Sequence, residues 1–387
     1  MKYGFLRTAA VSPALHFADC AYNTQQIIAA MRAQAVAGTK LLCLPEFALT
    51  GYTCSDLFLQ ETLCRGAEDG LIQILDASKE LDVVTLVGLP VRHNGKLYNC
   101  AAVVCKGQLL GLVPKTYLPN YGEFYERRHF VPGPKDAFEI TFAGQRMATA
   151  GGHRSPKVLT DFHPKHKLRH LAAGKQQVGA KQSALPGKGE STTDMTFAAH
   201  NLIAENGTLL CEAEPFANGT DVTELDLGRM VQERIRNTTF VPDAAGYTTI
   251  SFDLEVAETP LTRFVSPTPF VPQNDAARAE RCELILRIQA EGLAKRMEHT
   301  HAKCAVVGIS GGLDSCLALL VAVRACKVLG RDPKDIIAIT MPCFGTTKRT
   351  RSNAEILCAH GPGSFQRSHH RCAGLGRYRQ SGFPPCW

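Results

Sequence analysis

Three groups of residues in this 387-residue chain are of types that do chemistry. The first is Gly308-Ile309-Ser310-Gly311-Gly312-Leu313-Asp314-Ser315, a glycine-rich turn that follows the apolar run CAVVGIS (304–310). Glycines let main-chain N–H groups approach phosphate oxygens closely, and a helix beginning at the turn adds the favourable end of its dipole. The hydroxyls of Ser310 and Ser315 can donate to the same oxygens, and Asp314 can hold a magnesium ion that bridges phosphates. No Gly-Lys-Ser/Thr is present, so this is not a Walker loop. The second group is Glu46, closing LLCLPE (41–46), and Lys115, closing LLGLVPK (109–115). An acid and a lysine on strand ends of one sheet can meet at one rim. There the carboxylate serves as general base and the ammonium stabilises developing negative charge. Acyl transfer by such a pair needs a nucleophile, with cysteine the expected third member, yet no cysteine stands between Cys105 and Cys211. Cys211 and Cys343 have no histidine partner nearby in sequence and read as core or surface thiols. The third group is His163, His166 and His170, whose neighbours Lys165, Lys167 and Arg169 oppose a bound cation, so no metal site is expected there.

The elements that must position these residues can be read from apolar spacing. Tyr3–Ala10 has the pattern of a strand, and Cys20–Gly38 carries Ile27, Ile28, Met31 and Ala35 at helical spacing. The run 41–46 is a short buried strand, Leu71–Glu80 is helical, and VVTLVGLP (83–90) is a strand. Asn94-Gly95 and Lys106-Gly107 are two-residue turns on either side of NCAAVVC (99–105), with LLGLVPK beyond. Strand, helix, then paired strands predict a layered α/β sandwich with a mixed sheet. Residues 145–188 lack periodicity and read as loop or disorder. Order resumes at 191–216 with a strand, an Asn206-Gly207 turn and another strand, and 221–240 starts as a strand and becomes a helix. Four prolines in 260–273 mark a linker. Beyond it come an amphipathic helix over Asp275–Thr300 (Cys282, Leu286, Gln289 and Leu293 on one side), a buried strand at 304–310 and a helix over Ser315–Leu329. A strand at 335–342 and a helix over Thr350–Ala359 follow, in the order of a parallel sheet. The expected division is 1–259, a linker at 260–274, and 275–387, with no periodicity from His360 onward.

Composition bounds the function classes. No apolar run is long enough to span a bilayer, and the N-terminus reads as a strand rather than a secretory leader. Fifteen cysteines at irregular spacing, with no CxxC pair, suit reduced thiols in a cytoplasmic protein. The net charge of +7 is concentrated. Residues 145–188 hold nine Lys/Arg against one Asp, residues 361–387 hold four Arg and no acid, and the rest of the chain is net −5. With one aromatic and no recognisable module in the first basic stretch, nucleic-acid binding is not expected.

The loop GISGGLDS after its strand resembles the pyrophosphate loop of ATP pyrophosphatases. PEFALTGY, VPKTYLPNYGEFYE, GESTTDMTFAAHNLIAENGTLL and GISGGLDS, in this order, together with ITMPCFGTTKRTRSNAE (339–355), resemble the bacterial glutamine-dependent NAD(+) synthetases. That family fuses a nitrilase-like glutaminase domain (a carbon-nitrogen hydrolase) to an ammonia-using synthetase. The likeness covers about residues 1–143 and 189–358. It implies an α/β chain: an N-terminal nitrilase-like α-β-β-α sandwich, then a truncated Rossmann-like ATP-pyrophosphatase domain.

The resemblance also implies roles. Glu46 is the glutaminase general base, Lys115 its catalytic lysine, and Tyr121 the tyrosine that contacts glutamine. Gly308, Ile309, Ser310, Gly311, Gly312, Leu313, Asp314 and Ser315 hold ATP, with Mg2+ at Asp314 as part of the substrate complex and no prosthetic group. The substrates are ATP, deamido-NAD and glutamine, the enzyme is a ligase of the cytoplasm, and intact relatives assemble as homo-oligomers. The family nucleophile lies in a segment of type GVEICEDLW downstream of the lysine, and no such segment occurs here; the following Ser and Arg glutamine-binding segment is also absent. The stretches 145–188 and from about 359 match nothing in the family, as translation in a wrong frame would produce. The expectation is a chain that completes neither half-reaction. The alternatives are a non-catalytic fragment or subunit partner of an intact synthetase and, disfavoured by the missing cysteine, a nitrilase-type amidase.

Overall fold

In a computed structural model the described residues are 3–122, 124–134, 136–149, 180–187, 189–190, 196–239, 249–255 and 257–340, with 353, 356 and 364–367. The chain divides into two units, Met1–Phe264 and Val265–Trp387.

The first unit is built on a six-stranded sheet of order β11-β1-β2-β3-β4-β5. Strands β1 (Phe5–Val11), β2 (Leu41–Cys43) and β3 (Val84–His93) are parallel. The crossovers between them carry helices α1 (Cys20–Val36) and α2 (Glu61–Ala77), as parallel pairing requires. From β3 the chain meanders antiparallel through β4 (Lys96–Cys105) and β5 (Gln108–Pro114). The turns between them, Asn94-Gly95 (φ 49° and 69°) and Lys106-Gly107 (φ 45° and 79°), have both residues left-handed, as two-residue hairpins demand. Being covered on both faces, β3 is a nearly unbroken apolar run. Asp19 caps α1 by accepting the Tyr22 N–H at 2.9 Å. Ile27 and Met31 of α1 and Leu71 and Ile74 of α2 are wholly buried in one core with Phe47 and Phe58. Burial of each such side chain stabilises by about 1.5–3 kcal/mol.

Helix α2 begins ten residues before the expected Leu71, because Gly66 and Gly70 interrupt the apolar pattern. Gly70 is a packing residue: a Cβ there would stand 2.4 Å from Thr24 Oγ1 and 2.9 Å from Leu49 Cδ2. After α3 (Glu126–His129), the hairpin of β6 (Glu139–Phe142) and β7 (Gln145–Ala148) and the strand β8 (Ala180–Ser183) follow. Here the expectation of a structureless 145–188 is corrected at both ends. Strand β7 pairs with β6 around a left-handed Ala143-Gly144 turn, and Gln145 Oε1 accepts the Leu109 N–H at 2.8 Å. Strand β8 joins β9 (Leu202–Glu205) and β10 (Thr208–Glu212) in a second sheet. That sheet packs on the first through Ala184 and Ile203 against Ala10 and Leu225. Strand β11 (Thr220–Asp226) runs directly into α4 (Leu227–Arg236), with Asp226 capping the helix by accepting the Arg229 N–H at 2.8 Å.

The second unit holds α5 (Asp275–His299), β12 (Ala305–Gly308), α6 (Leu313–Val328), β13 (Ile336–Thr340) and β14 (Ser364–Arg367). Its three strands are parallel, in the order β12-β13-β14. Asn274 starts α5 by accepting from the N–H groups of Ala276 and Ala277 at 2.8 and 3.1 Å. Two expectations change. Strand β14 falls in the tail read as aperiodic, where Ser364-Phe365-Gln366-Arg367 extends beside β13. And β12 is not wholly buried: Val307 packs toward Met297, Leu319 and Ala322, whereas alternation turns Val306 outward, 59 % exposed. The helix expected at Thr350–Ala359 lies outside the described residues except Asn353 and Ile356, as do His163, His166, His170 and Cys343. Among the described residues, no helix is long and apolar enough to cross a membrane.

Candidate functional site

Glu46 sits in the turn that leaves β2, and the sheet shapes that turn. Gly88 of β3 faces it, so closely that a Cβ would lie 2.4 Å from Phe47 N and 2.6 Å from Pro45 O. Leu49 N–H donates to the Gly88 carbonyl at 3.3 Å and Gly51 N–H to that of Phe47 at 2.7 Å, fixing the path of residues 45–51. Lys115 prolongs β5: its N–H donates to Asn99 O at 2.8 Å, and its carbonyl accepts from Gly133 N–H at 2.9 Å. The two strand ends do meet. Lys115 Nζ donates to Glu46 Oε1 at 2.7 Å and to Glu126 Oε1 at 2.7 Å, and all three side chains are only 6–7 % exposed. Asn99 Nδ2 also donates to Glu46 Oε1, and Tyr52 donates its hydroxyl to Glu126 Oε1 at 2.7 Å. Among the described residues, Glu46 Oε2 and Glu126 Oε2 are buried without a partner.

Burial and neighbouring charges together set the titration of this group. Burial works against the charge of Lys115, but Glu46 and Glu126 outweigh it and hold its pKa above the ordinary lysine value. Glu126 is pushed up to about 7, chiefly by burial and then by the charge of Glu46, against the pull of Lys115 and Tyr52. Burial, followed by the charges of Glu46 and Glu126, raises the Tyr52 phenol far above its usual range. A third carboxyl, Glu190, is likewise raised to about 7 by burial, with the Tyr52 N–H opposing and Glu46 adding to the shift. Such a site holds an ammonium beside Glu126, a carboxyl poised near neutrality, and is suited to proton transfer and to stabilising an oxyanion.

Tyr121 lies between Lys115 and Glu126 in sequence, 64 % exposed, its ring edge-on to Phe124 at 5.7 Å and near enough for its phenol to act on Tyr52. Sequence reading missed Glu126, Tyr52, Asn99 and Glu190. The signal for Glu126 is a second acid after the lysine in VPKTYLPNYGEFYE, but Glu123 stands in the same motif. Burial raises the thiol of every described cysteine in the first unit. Burial raises Cys43 to about 11 and Cys54 to about 12, and it raises Cys100 and Cys211 as well.

In the second unit the turn Gly308–Ser315 leaves β12 and enters α6, with Gly311 left-handed (φ 79°). Ser315 Oγ accepts the Ser310 N–H at 3.2 Å and donates to Gly312 O at 3.0 Å, while Gly312 N–H donates to Ser310 Oγ at 3.3 Å. Gly312 brings no side chain to cap α6, so the first helical N–H groups are open to an anion. Ile309 is buried and anchors the turn through its N–H to Ile339 O at 2.8 Å. Asp314 and Leu313 are exposed in the first turn. Among the described residues no group of three or more His, Cys, Asp and Glu could hold a metal.

The six-stranded mixed sheet of the first unit and the parallel strands and helices of the second make this an α/β chain of two units. Residues 7–163 match the carbon-nitrogen hydrolase family and residues 285–362 the NAD synthase family. Along its length the chain is 32 % identical to the glutamine-dependent NAD(+) synthetase of Mycobacterium tuberculosis, over 91 % of this chain and 60 % of that protein. It is also 32 % identical to that of Mycobacterium leprae, over 92 % and 60 %. The crystal structure of a glutamine-dependent NAD(+) synthetase from Cytophaga hutchinsonii shares the fold, with a TM-score of 0.52 at 17 % identity over 94 % of this chain and 65 % of that one. The chain belongs to the glutamine-dependent NAD(+) synthetase family of enzymes. It spans about 60 % of the length of the curated mycobacterial relatives it matches.

Proposed function

We propose that this chain is an NAD(+) synthetase-type protein whose first unit holds the side-chain amide of glutamine without efficiently hydrolysing it. The observation that carries this is the buried Glu46–Lys115–Glu126 group, in which the lysine donates to both acids, in a chain with no cysteine between Cys105 and Cys211. Lys115 would donate to the amide oxygen, and the unpartnered Glu46 Oε2 would accept from the amide nitrogen. Tyr121 would contact the rest of glutamine. Without a thiolate no thioester forms, and what remains is attack by water, slower on the order of 10^3–10^6-fold than nucleophilic catalysis.

In the second unit Gly308, Ile309, Ser310, Gly311, Gly312, Leu313, Asp314 and Ser315 grip ATP, with magnesium reaching Asp314 on the phosphates. The family reaction adenylates deamido-NAD, releases pyrophosphate, and lets ammonia displace AMP to give NAD. Each of the two claims has its own test. Purified chain given glutamine should bind it in calorimetry while releasing no ammonia above background, and an electrophilic glutamine analogue should leave no glutamine-protected cysteine adduct. Such an adduct, or ammonia release at the rate of a cysteine-bearing relative, overturns the first claim. ATP binding that survives the S310A/S315A double variant unchanged overturns the second.

A further inference from the structure

The exchange of charge among Glu46, Lys115 and Glu126 leaves one buried carboxylate of the first unit without a role. Glu190 is 1 % exposed. It is driven inward by the residue before it. Gly189 has φ +98°, and a Cβ there would lie 1.9 Å from Leu15 O, so only glycine allows this approach. Glu190 Oε2 accepts the Tyr52 main-chain N–H at 2.6 Å, and Thr53 Oγ1 donates to the Glu190 carbonyl. Gly51, at φ +86°, completes the fit, since a Cβ there would stand 3.2 Å from the same Oε2. Glu190 Oε1 is buried with no partner among the described residues. Tyr52 in turn gives its hydroxyl to the Glu126 oxygen that also takes Lys115, each at 2.7 Å.

We propose that Glu190 is a positioning residue of the acid–lysine site: by holding the Tyr52 main chain it places the phenol that orders Glu126, and through Glu126 it sets Lys115 against Glu46. A residue 138 positions away in sequence from Tyr52 thus closes the site from the far side of the basic stretch. The inference rests on reading the site as amide-binding, but its test involves no amide.

The readout is the ionisation of Glu126, followed in the full chain by infrared difference spectroscopy of protonated carboxyl groups between pH 5 and 9 and assigned with E126Q. The groups that act on Glu126 are Glu46, Lys115 and Tyr52. The Tyr52 hydrogen bond favours the ionised form, so Y52F should raise the Glu126 midpoint by roughly one pH unit. E190A should move it in the same direction, whereas E190Q, which keeps an acceptor for the Tyr52 N–H, should leave it in place. A role limited to bracing the turn predicts the opposite sign, because a loosened turn admits water and lowers the midpoint. An unchanged or lowered midpoint in E190A overturns the proposal. Should E190A not fold by circular dichroism, E190D, one methylene too short for the Tyr52 N–H, is read by the same criterion. Failure of glutamine to bind any form would remove the amide reading while leaving this titration result standing.

Discussion

Replacing Lys115 by methionine, which keeps most of the length and none of the charge, isolates what the lysine does for the buried acids. Its Nζ stands 2.7 Å from an oxygen of each of Glu46 and Glu126, and the three side chains are almost fully enclosed. Removing one member of a buried ion pair costs about 3–5 kcal/mol, because the remaining charge is left uncompensated. For a unit of this size one kcal/mol moves the melting temperature by about 2–4 °C, so K115M should melt roughly 10 °C lower at pH 8. The loss should depend on pH with a definite sign. Glu126, at about 7 even with the lysine beside it, lies above its reference value of 4.5 and moves higher without the lysine. A carboxyl raised in the folded state is penalised when ionised. Its penalty is complete above the folded pKa, shrinks as pH falls through the window, and vanishes below the unfolded value. The K115M deficit should therefore be largest at pH 8 and fall by about half at pH 5, where Glu126 is protonated in both proteins. Calorimetric melting of the full chain at pH 5, 6.5 and 8 measures it. Melting curves displaced equally at all three values would refute the view that the lysine compensates ionised acids.

Three further outcomes follow from the same geometry. G88A should displace the Pro45–Phe47 turn and lower stability by about 1–3 kcal/mol in urea unfolding, since the clashing atoms are main chain and cannot swing away; stability equal to wild type would show that Gly88 does not set the path to Glu46. E190Q should remove a proton-linked penalty of up to about 3 kcal/mol, making it the more stable form at pH 8 but not at pH 4.5, because Glu190 is raised to about 7; equal urea midpoints at pH 8 would contradict this. R263A should destabilise the first unit by about 3 kcal/mol, by thermal melting. It leaves Glu205, which takes Arg263 Nη1 at 3.0 Å, buried with only the Asp226 N–H at 2.6 Å and uncovers the Glu224 carbonyl at 2.8 Å.

What could be read from sequence tracks how local its cause is. Asn94-Gly95, Lys106-Gly107 and Asn206-Gly207 announce their turns because the left-handed geometry is satisfied within two residues. Ala143-Gly144 does the same work, yet alanine carries no such signal. Glu46 and Lys115 were legible because each closes an apolar strand, and two strands of one sheet share a rim. Glu126 was not, since it lies in a single helical turn within a loop, and the motif around it holds two acids, Glu123 and Glu126. Asn99 looked like any interior strand residue. Glu190 was out of reach: nothing in GKGE tells that glycine 189 passes against Leu15 and turns the next side chain into a site begun at residue 46. The exposure of Val306 and the early start of α2 have a related origin, because both depend on which neighbours cover a face.

The acid–lysine site is costly, and this bears on what it is for. Two carboxyls raised to about 7 each weaken the folded state above that pH by up to about 3 kcal/mol. Buried ion groups of this kind are often matched or exceeded in stability by apolar side chains of similar volume. Nothing in the packing of Phe47, Phe58 and Phe130 around the site calls for charge. Three glycines with positive φ or forbidden Cβ positions, Gly51, Gly88 and Gly189, are further needed to hold it. Folding alone therefore does not account for the arrangement; a ligand that uses a buried ammonium and a free carboxylate oxygen does. A primary amide offers a carbonyl to the first and an N–H to the second. On the proposed function, the absence of a cysteine between Cys105 and Cys211 would remove the covalent step and leave that recognition in place, so binding without turnover is what the proposal expects of this chain.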